Sequence, residues 1–531
     1  MSLPGESDRP ASARTEGGLS ELVHSWRYFF WLLGLVLIVG LFFAEENWRG
    51  QWAWNSYKRA MAARGEPLEL SAFVPPKVPD DKNFAMTPLL APLFEFLPGM
   101  SPGVSPLSGI GLFASNYDVA SRELNVSKAV RSNSWVKAQT DLPAWYAAFL
   151  NSTNKLAKQK VGLAATNFTV HEAAIGVLAM LSEADPVFEE LQAASNLPFS
   201  RFNLHYEDEN PAAILLPHLS VMKRLTQVLA LRACASLAAR QTNQAFEDTK
   251  LLLRLTEVCK DEPFFISQLV RIAQLNIAMQ PIAEGISLWS EPQLRSLQAR
   301  LARVDFCADT RRAVGAERYW SSAIIEYVRR SPGKLDMLAG MTGTQQSGFD
   351  LAAVLMCLAP SGWFDFEQLN CSRMTDECLL PMFDVTARRI SPHLSQKSEQ
   401  CMAKLANRSL SSLYFQHLYF ARLLLPATSR TAQKAAFAQT AVDCALLACA
   451  LERYRREHRQ FPESLTALQP QFIQKLPHDI INGEPLKYHR AESGQYVLYS
   501  VGWNEVDDGG AVGVAKSGEE NSIAQGDWVW R

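Results

Sequence analysis

Asn504, Glu505, Asp507 and Asp508 crowd four oxygen-bearing side chains into five residues, next to Gly509 and Gly510. Hard oxygen donors on a glycine turn are what a calcium ion coordinates. Asn504, Asp507 and Asp508 are therefore the candidate metal ligands, and calcium is the candidate cofactor. The same Asp-Asp-Gly-Gly run is also ordinary turn chemistry, because Asp bonds its own backbone and Gly tolerates positive φ. Both readings stand at this point. Gly99-Met100-Ser101-Pro102-Gly103 spells a nucleophile elbow, but that turn uses the backbone N–H of the residue after the serine, and Pro102 has none. Ser331-Pro332-Gly333-Lys334 has Ser-x-x-Lys spacing, yet its proline and glycine break the helical turn that would bring the two side chains together. His171-Glu172 lacks a second histidine at metal-binding spacing, Glu207-Asp208-Glu209 reads as a solvated turn, and no glycine-rich phosphate loop occurs. No catalytic residue is assigned.

Composition narrows the classes further. The chain has 531 residues, 48% apolar and 20% charged, with a formal net charge of −2. That is globular material long enough for two or three domains, and no basic field invites nucleic acid. Nine cysteines are scattered, none in a Cys-x-x-Cys pair, so the usual zinc pattern is missing. Cys371 and Cys378 are spaced to close a small loop in an oxidising compartment, while most of the nine read as small buried apolar residues.

The element on which the rest is hung is Tyr28 to Ala44, YFFWLLGLVLIVGLFFA, seventeen residues without a formal charge. As a helix it would be about 26 Å long, at the short end of what crosses a hydrocarbon core of about 30 Å. Trp26, Tyr28 and Trp31 flank one end and Trp48, Trp52 and Trp54 the other, as rings at headgroup level do. The preceding residues carry Arg9, Arg14 and Arg27 against Glu6, Asp8, Glu16 and Glu21, so they lack a basic n-region. Phe42-Phe43-Ala44 is too bulky for a cleavage site. An uncleaved single-pass anchor is expected. Lys and Arg are balanced about its ends, so charge alone sets no orientation.

Beyond the anchor, Gln51 to Arg64 should continue as helix until Gly65 stops it. Prolines 75, 76, 79, 88 and 92 then hold the chain as an extended strap across the next domain. From about Asp141 the pattern turns helical. Val221, Leu225, Val228 and Leu229 mark one buried face, Asn243 is placed to cap a helix containing Leu252, and Asp261-Glu262-Pro263 and Ser290-Glu291-Pro292 open two more. Short connections make such helices antiparallel hairpins. Residues 331–372 read as a long loop around a short helix at 350–358. Helix resumes near Ser398 and runs, broken at Pro426, to His458. Residues 486–490 and 495–502 alternate with period two, which predicts strands, and the last six residues a further short one.

Three stretches of this last part, ALERYRREHRQFPESLTAL, LPHDIINGEPLKY and YVLYSVGWNEVDDGG, together resemble the globular domain of the type II secretion major pseudopilins. Phe461-Pro462 stands at the family's Tyr-Pro, and Pro477, Asp479, Gly483 and Pro485 at its proline- and glycine-bearing loop. Asp507 to Gly510 stands at its aspartate- and glycine-rich loop. The likeness covers residues 440–531, a sixth of the chain. It implies a helix laid across a sheet, calcium at the Asp507 loop, and a place in the bacterial envelope. The pseudopilin leader, processing site and stem glutamate are missing, so polymerisation through a pilin stem is not implied. The whole layout is similar to anchored proteins of some bacteria. On the helix, Leu447, Leu451 and Tyr454 share one face. Val497 and Val501 form the strand face expected to meet it, in preference to Tyr496, Leu498 and Ser500.

The expected protein is mainly α. Residues 1–27 form a disordered tail, 28–44 a transmembrane helix, 45–130 a helical extension and proline-rich strap, 131–439 a large helical domain, and 440–531 a small α+β pilin-like unit. Its expected role is interaction or scaffolding at the inner membrane. The bulk is periplasmic, the partners are the membrane and other envelope proteins, and nucleic acid is not among them. The alternatives are a membrane-anchored enzyme whose site is assembled from sequence-distant residues, and a secretion or pilus component.

Overall fold

The computed structural model describes residues 17–66, 68–94, 117–124, 139–156, 168–206, 211, 214–331, 356–426, 430–492, 494–513 and 523–530. The first element is one uninterrupted helix, α1 (Gly17–Ala63). Residues 17–27, expected as part of a tail, are helical, and the remainder of that tail lies outside the described residues. Gly65 takes φ +78° and the Glu66 amide donates to the Met61 carbonyl at 3.0 Å, the left-handed stop that the sequence predicts.

The prolines after it keep the strap out of regular helix, and it turns only in short 3₁₀ pieces such as Asp80–Lys82 and Phe84–Met86. Polar ties pin it down. The Asn83 side chain donates to the Arg201 carbonyl and accepts from the Arg201 amide, both at 2.8 Å, and the Phe84 amide donates to the Phe199 carbonyl at 2.9 Å. Phe84 and Leu90 are thereby wholly buried.

Thirteen further helices are named among the described residues: α2 (Leu142–Leu156), α3 (Val170–Leu181), α4 (Asp185–Ala194), α5 (Pro217–Ala238), α6 (Thr242–Leu255), α7 (Phe265–Gly285), α8 (Glu291–Leu301), α9 (Phe306–Arg330), α10 (Ser361–Met374), α11 (Pro392–Ala406), α12 (Leu410–Phe415), α13 (Tyr419–Leu424) and α14 (Thr431–His458). The protein is mainly helical. Consecutive helices α5, α6 and α7 pack on one another, and Val221, Leu225, Val228, Leu229 and Leu252 are all buried. Ser290 forms the capping box with Gln293, as its sequence signal predicts.

Three local signals misplace their elements. α6 begins at Thr242 with Gln241 at its cap, so Asn243 is already inside the helix and accepts from Gln293 instead. α7 begins at Phe265, two residues after Pro263, because Glu262 is drawn inward to His218. Residues 361–372, read as loop, are most of α10, whose Phe364 and Leu369 bury in the interior. Residues 332–355 lie outside the described residues.

The interior forms two apolar clusters. One gathers the strap with α2 to α6 and includes Ala278 of α7 and Trp320 of α9; the other gathers α7 to α14 with the carboxyl-terminal strands and includes Phe246 and Leu253 of α6. The most apolar stretch of α14 is fully buried, packed against α7, α8 and α9 as well as the sheet. The expected division at residue 439 falls inside this helix. Beyond it, β3 (Lys487–Arg490), β4 (Tyr496–Ser500) and β5 (Trp528–Trp530) make an antiparallel sheet in that order. A separate two-residue hairpin, β1 (Phe383–Asp384) with β2 (Arg389–Ile390), precedes α11.

The register of β4 is opposite to expectation. Tyr496, Leu498 and Ser500 face α14, with Leu498 fully buried in the shared cluster. Val497 and Tyr499 face away, under the turn that carries Gly510. Val501, past the strand end, is buried. Phe461 docks at the helix foot, edge-on to Tyr496 at 4.8 Å.

Candidate functional site

A polar junction lies where α1 leaves its apolar stretch and meets the body. Glu46, Gly50, Trp54, Tyr57 and Met61 fall on one helical face and turn inward. Gly50 crosses Gly362 at the start of α10 so closely that a Cβ on either glycine would overlap the other helix's backbone. The Gly362 amide donates to Asn47 Oδ1 and Trp363 Nε1 donates to Glu46 Oε2, each at 2.9 Å. Lower down, buried Arg318 of α9 donates to Glu66 at 2.8 Å and to Asp376 at 2.9 Å, and Tyr57 donates to the same Asp376 carboxylate at 2.6 Å. A buried guanidinium is tolerable only when paired in this way. Burial opposes ionisation of Glu66, but the Arg318 guanidinium outweighs it and holds the carboxyl below its usual range. Burial, with the Asp376 hydrogen bond, pushes the Tyr57 phenol up. This junction ties α1 to α9 and α10 through hydrogen bonds and ion pairs.

A cleft of about 1190 Å³ opens between the end of α7, the basic last turn of α14 and the β3–β4 hairpin. Two pairs of its charged side chains neutralise each other. Glu452 takes both Arg455 nitrogens at 2.7 Å and Arg456 at 2.9 Å, and Arg490 pairs with Glu463 at 2.7 Å. Such a lining suits a polar ligand held by hydrogen bonds and does not concentrate charge of one sign.

Among the described residues, His218, Cys259 and Glu262 bring possible ligand atoms within 4.8 Å of one another, all buried. His218 stands in the first turn of α5, and the other two in the turn between α6 and α7. His, Cys and Glu are a donor set zinc accepts. The geometry, however, is that of a hydrogen-bonded knot. His218 Nε2 donates to Glu262 at 2.7 Å, the Ser267 hydroxyl donates to its other oxygen, and burial pushes the Cys259 thiol up. His218 Nδ1 has no hydrogen-bond partner. Sequence reasoning missed this knot, because its members sit at no recognisable spacing.

The sequence-predicted ligands lie together on the turn after β4. Asp507 Oδ1 accepts from the Tyr499 hydroxyl at 3.0 Å and the Gly509 amide at 3.1 Å, while Oδ2 lies 3.3 Å from Lys487 Nζ. The Gly509 amide, then Tyr499 and Lys487, hold this carboxyl below its usual range. Asn504 donates to Asp508 at 3.2 Å, and Asp527 accepts the Asp508 and Gly510 amides. Glu172 completes a capping box with Thr169. Ser331 ends α9; Lys334, the Gly99–Gly103 segment and Glu207–Glu209 lie outside the described residues. Cys371 is buried, and Cys378 meets Cys401 instead.

Asp479 is the best-held carboxylate of the carboxyl-terminal unit. It accepts from the Ile481 and Val501 amides, each at 3.0 Å, and from the Ser500 hydroxyl at 2.9 Å. It ties the loop before β3 to the end of β4, and Gly483 at φ +81° lets that loop close. No family model, no curated protein and no solved structure matches this chain.

Proposed function

We propose that the chain is a single-pass protein of the bacterial inner membrane, with residues 28–44 crossing the bilayer and the bulk in the periplasm. There it serves as an anchored scaffold for other envelope proteins. One observation carries the reading. Within the same helix, the apolar stretch stands outside the body except at its Phe42 end, with Trp31 78%, Leu41 70% and Ile38 67% exposed, while one face of residues 45–63 docks on the body. Burying a large apolar side chain is worth about 1.5–3 kcal/mol, so more than a dozen left in water demand an apolar surrounding. Trp26 and Trp31 at one end and Trp48 and Trp52 beyond the other are exposed, as rings that favour headgroups would be, whereas Trp54 is buried in the body. Phe42 meets Trp363, which meets Phe415, itself 68% exposed, so the body carries apolar surface close to the end of the stretch.

The periplasmic placement rests on the pseudopilin likeness of residues 440–531. The scaffold role is favoured by a cleft whose charges neutralise each other and by a junction built from packing and ion pairs. The test is alkaline extraction of membranes holding the full chain, followed by protease access to the body from the periplasmic face. Retention in the pellet and periplasmic digestion support the reading. Release by alkali, or a protected body, would refute anchor or orientation respectively.

A further inference from the structure

We infer that Cys378 and Cys401 are joined by a disulfide in the mature protein. Their sulfurs lie 3.1 Å apart, closer than the non-bonded optimum of even the smaller carbon atoms, about 3.5–4.0 Å. Cys378 sits in the π-helical turn Thr375–Leu379 and Cys401 in α11, and these two elements pack on each other. The β1–β2 hairpin between them reverses the chain, so the sulfurs meet without either element leaving its place. Closing the gap to a bond of about 2.04 Å takes roughly 1 Å, within reach of side-chain rotation. Of the other seven cysteines, six are buried and Cys357 is exposed.

The bridge has a clear structural purpose. Asp376, two residues before Cys378, is the carboxylate that holds Tyr57 of α1 and Arg318 of α9. A covalent link at Cys378 therefore fixes the turn that grips the anchor helix. Bond formation breaks two S–H bonds and makes one S–S bond. Two electrons and two protons pass to the disulfide of a thiol-oxidising protein, which leaves as a dithiol. The inference rests on the proposed periplasmic placement only for that oxidant.

Full-length protein in isolated membranes would be denatured with a maleimide and no reductant, then digested and weighed. Seven of nine cysteines should be labelled, and a Cys378–Cys401 linked peptide should appear and vanish after dithiothreitol. Cys378→Ser and Cys401→Ser should each label all eight remaining thiols. Nine labelled thiols in the unsubstituted protein, or a linked pair that survives in either variant, would overturn the proposal. Alkaline extraction of the same membranes reads the anchor separately. A bridged protein released by alkali counts against the anchor alone, and an anchored protein with nine free thiols counts against the bridge alone.

Discussion

The crossing of α1 and α10 makes the sharpest energetic statement about how this protein is held together. In Gly362→Ala the new Cβ would lie 2.6 Å from the Asn47 Cα and overlap the Glu46 carbonyl, and in Gly50→Ala it would overlap the Gly362 carbonyl. These obstacles are backbone, so the helices must part. Overpacking of this kind costs about 1–3 kcal/mol. Parting also stretches the Gly362–Asn47 and Trp363–Glu46 hydrogen bonds, at about 1 kcal/mol or more each because one acceptor is charged. Together, Gly362→Ala should cost about 3–5 kcal/mol. Gly34 and Gly40 lie on the same helix with nothing within 4 Å of an added Cβ. Alanine there should cost nothing, and helix propensity favours it by about 1 kcal/mol. Detergent-solubilised full-length variants would be compared by thermal unfolding and by protease cutting at residues 64–66. Gly362→Ala melting like the parent, or Gly40→Ala falling as far, would refute the docking described here.

Leu252 is fully buried, so Leu252→Asp should destabilise the helical body by several kcal/mol in urea titration; a silent change would mean that the α6 face is wrong. Asp479→Ala strands two buried amides and a hydroxyl and should cost about 3 kcal/mol, while leaving helix content by circular dichroism unchanged. Burial pushes Glu367 up to about 8, against the Tyr419 and Phe420 amides that favour its ionised form. Because its folded pKa lies above the ordinary 4.5, its contribution is complete below about pH 4.5 and is lost as pH rises through 8. Glu367→Gln should flatten that fall between pH 5 and 8, and an unchanged slope in urea midpoints would exclude Glu367 as its source. Chelation should leave the melting temperature unchanged if Asp507 and Asp508 only build their turn, and lower it if they hold calcium.

What the sequence determined by itself is what nearest neighbours along the chain decide. The uncharged run at 28–44 is helical, and Gly65 ends that helix because a residue without Cβ accepts φ +78°. Ser290-Glu291-Pro292 starts a helix because the capping groups lie within one turn. The strands at 487–490 and 496–500 follow from their alternation. Tertiary structure alone decided which face of β4 turns inward. Both faces carry apolar and aromatic residues, so alternation is silent, and the choice fell to the 507–510 turn covering Val497 and Tyr499. It also decided that α10 exists in a stretch punctuated by Ser-Pro and Ala-Pro, since its start is held by Asn47 and Glu46, more than 300 residues upstream. Arg318 finds Glu66 across 252 positions, and Cys378 faces Cys401 rather than Cys371. Such pairings depend on how packed helices cross, a quantity that no local pattern of residues contains.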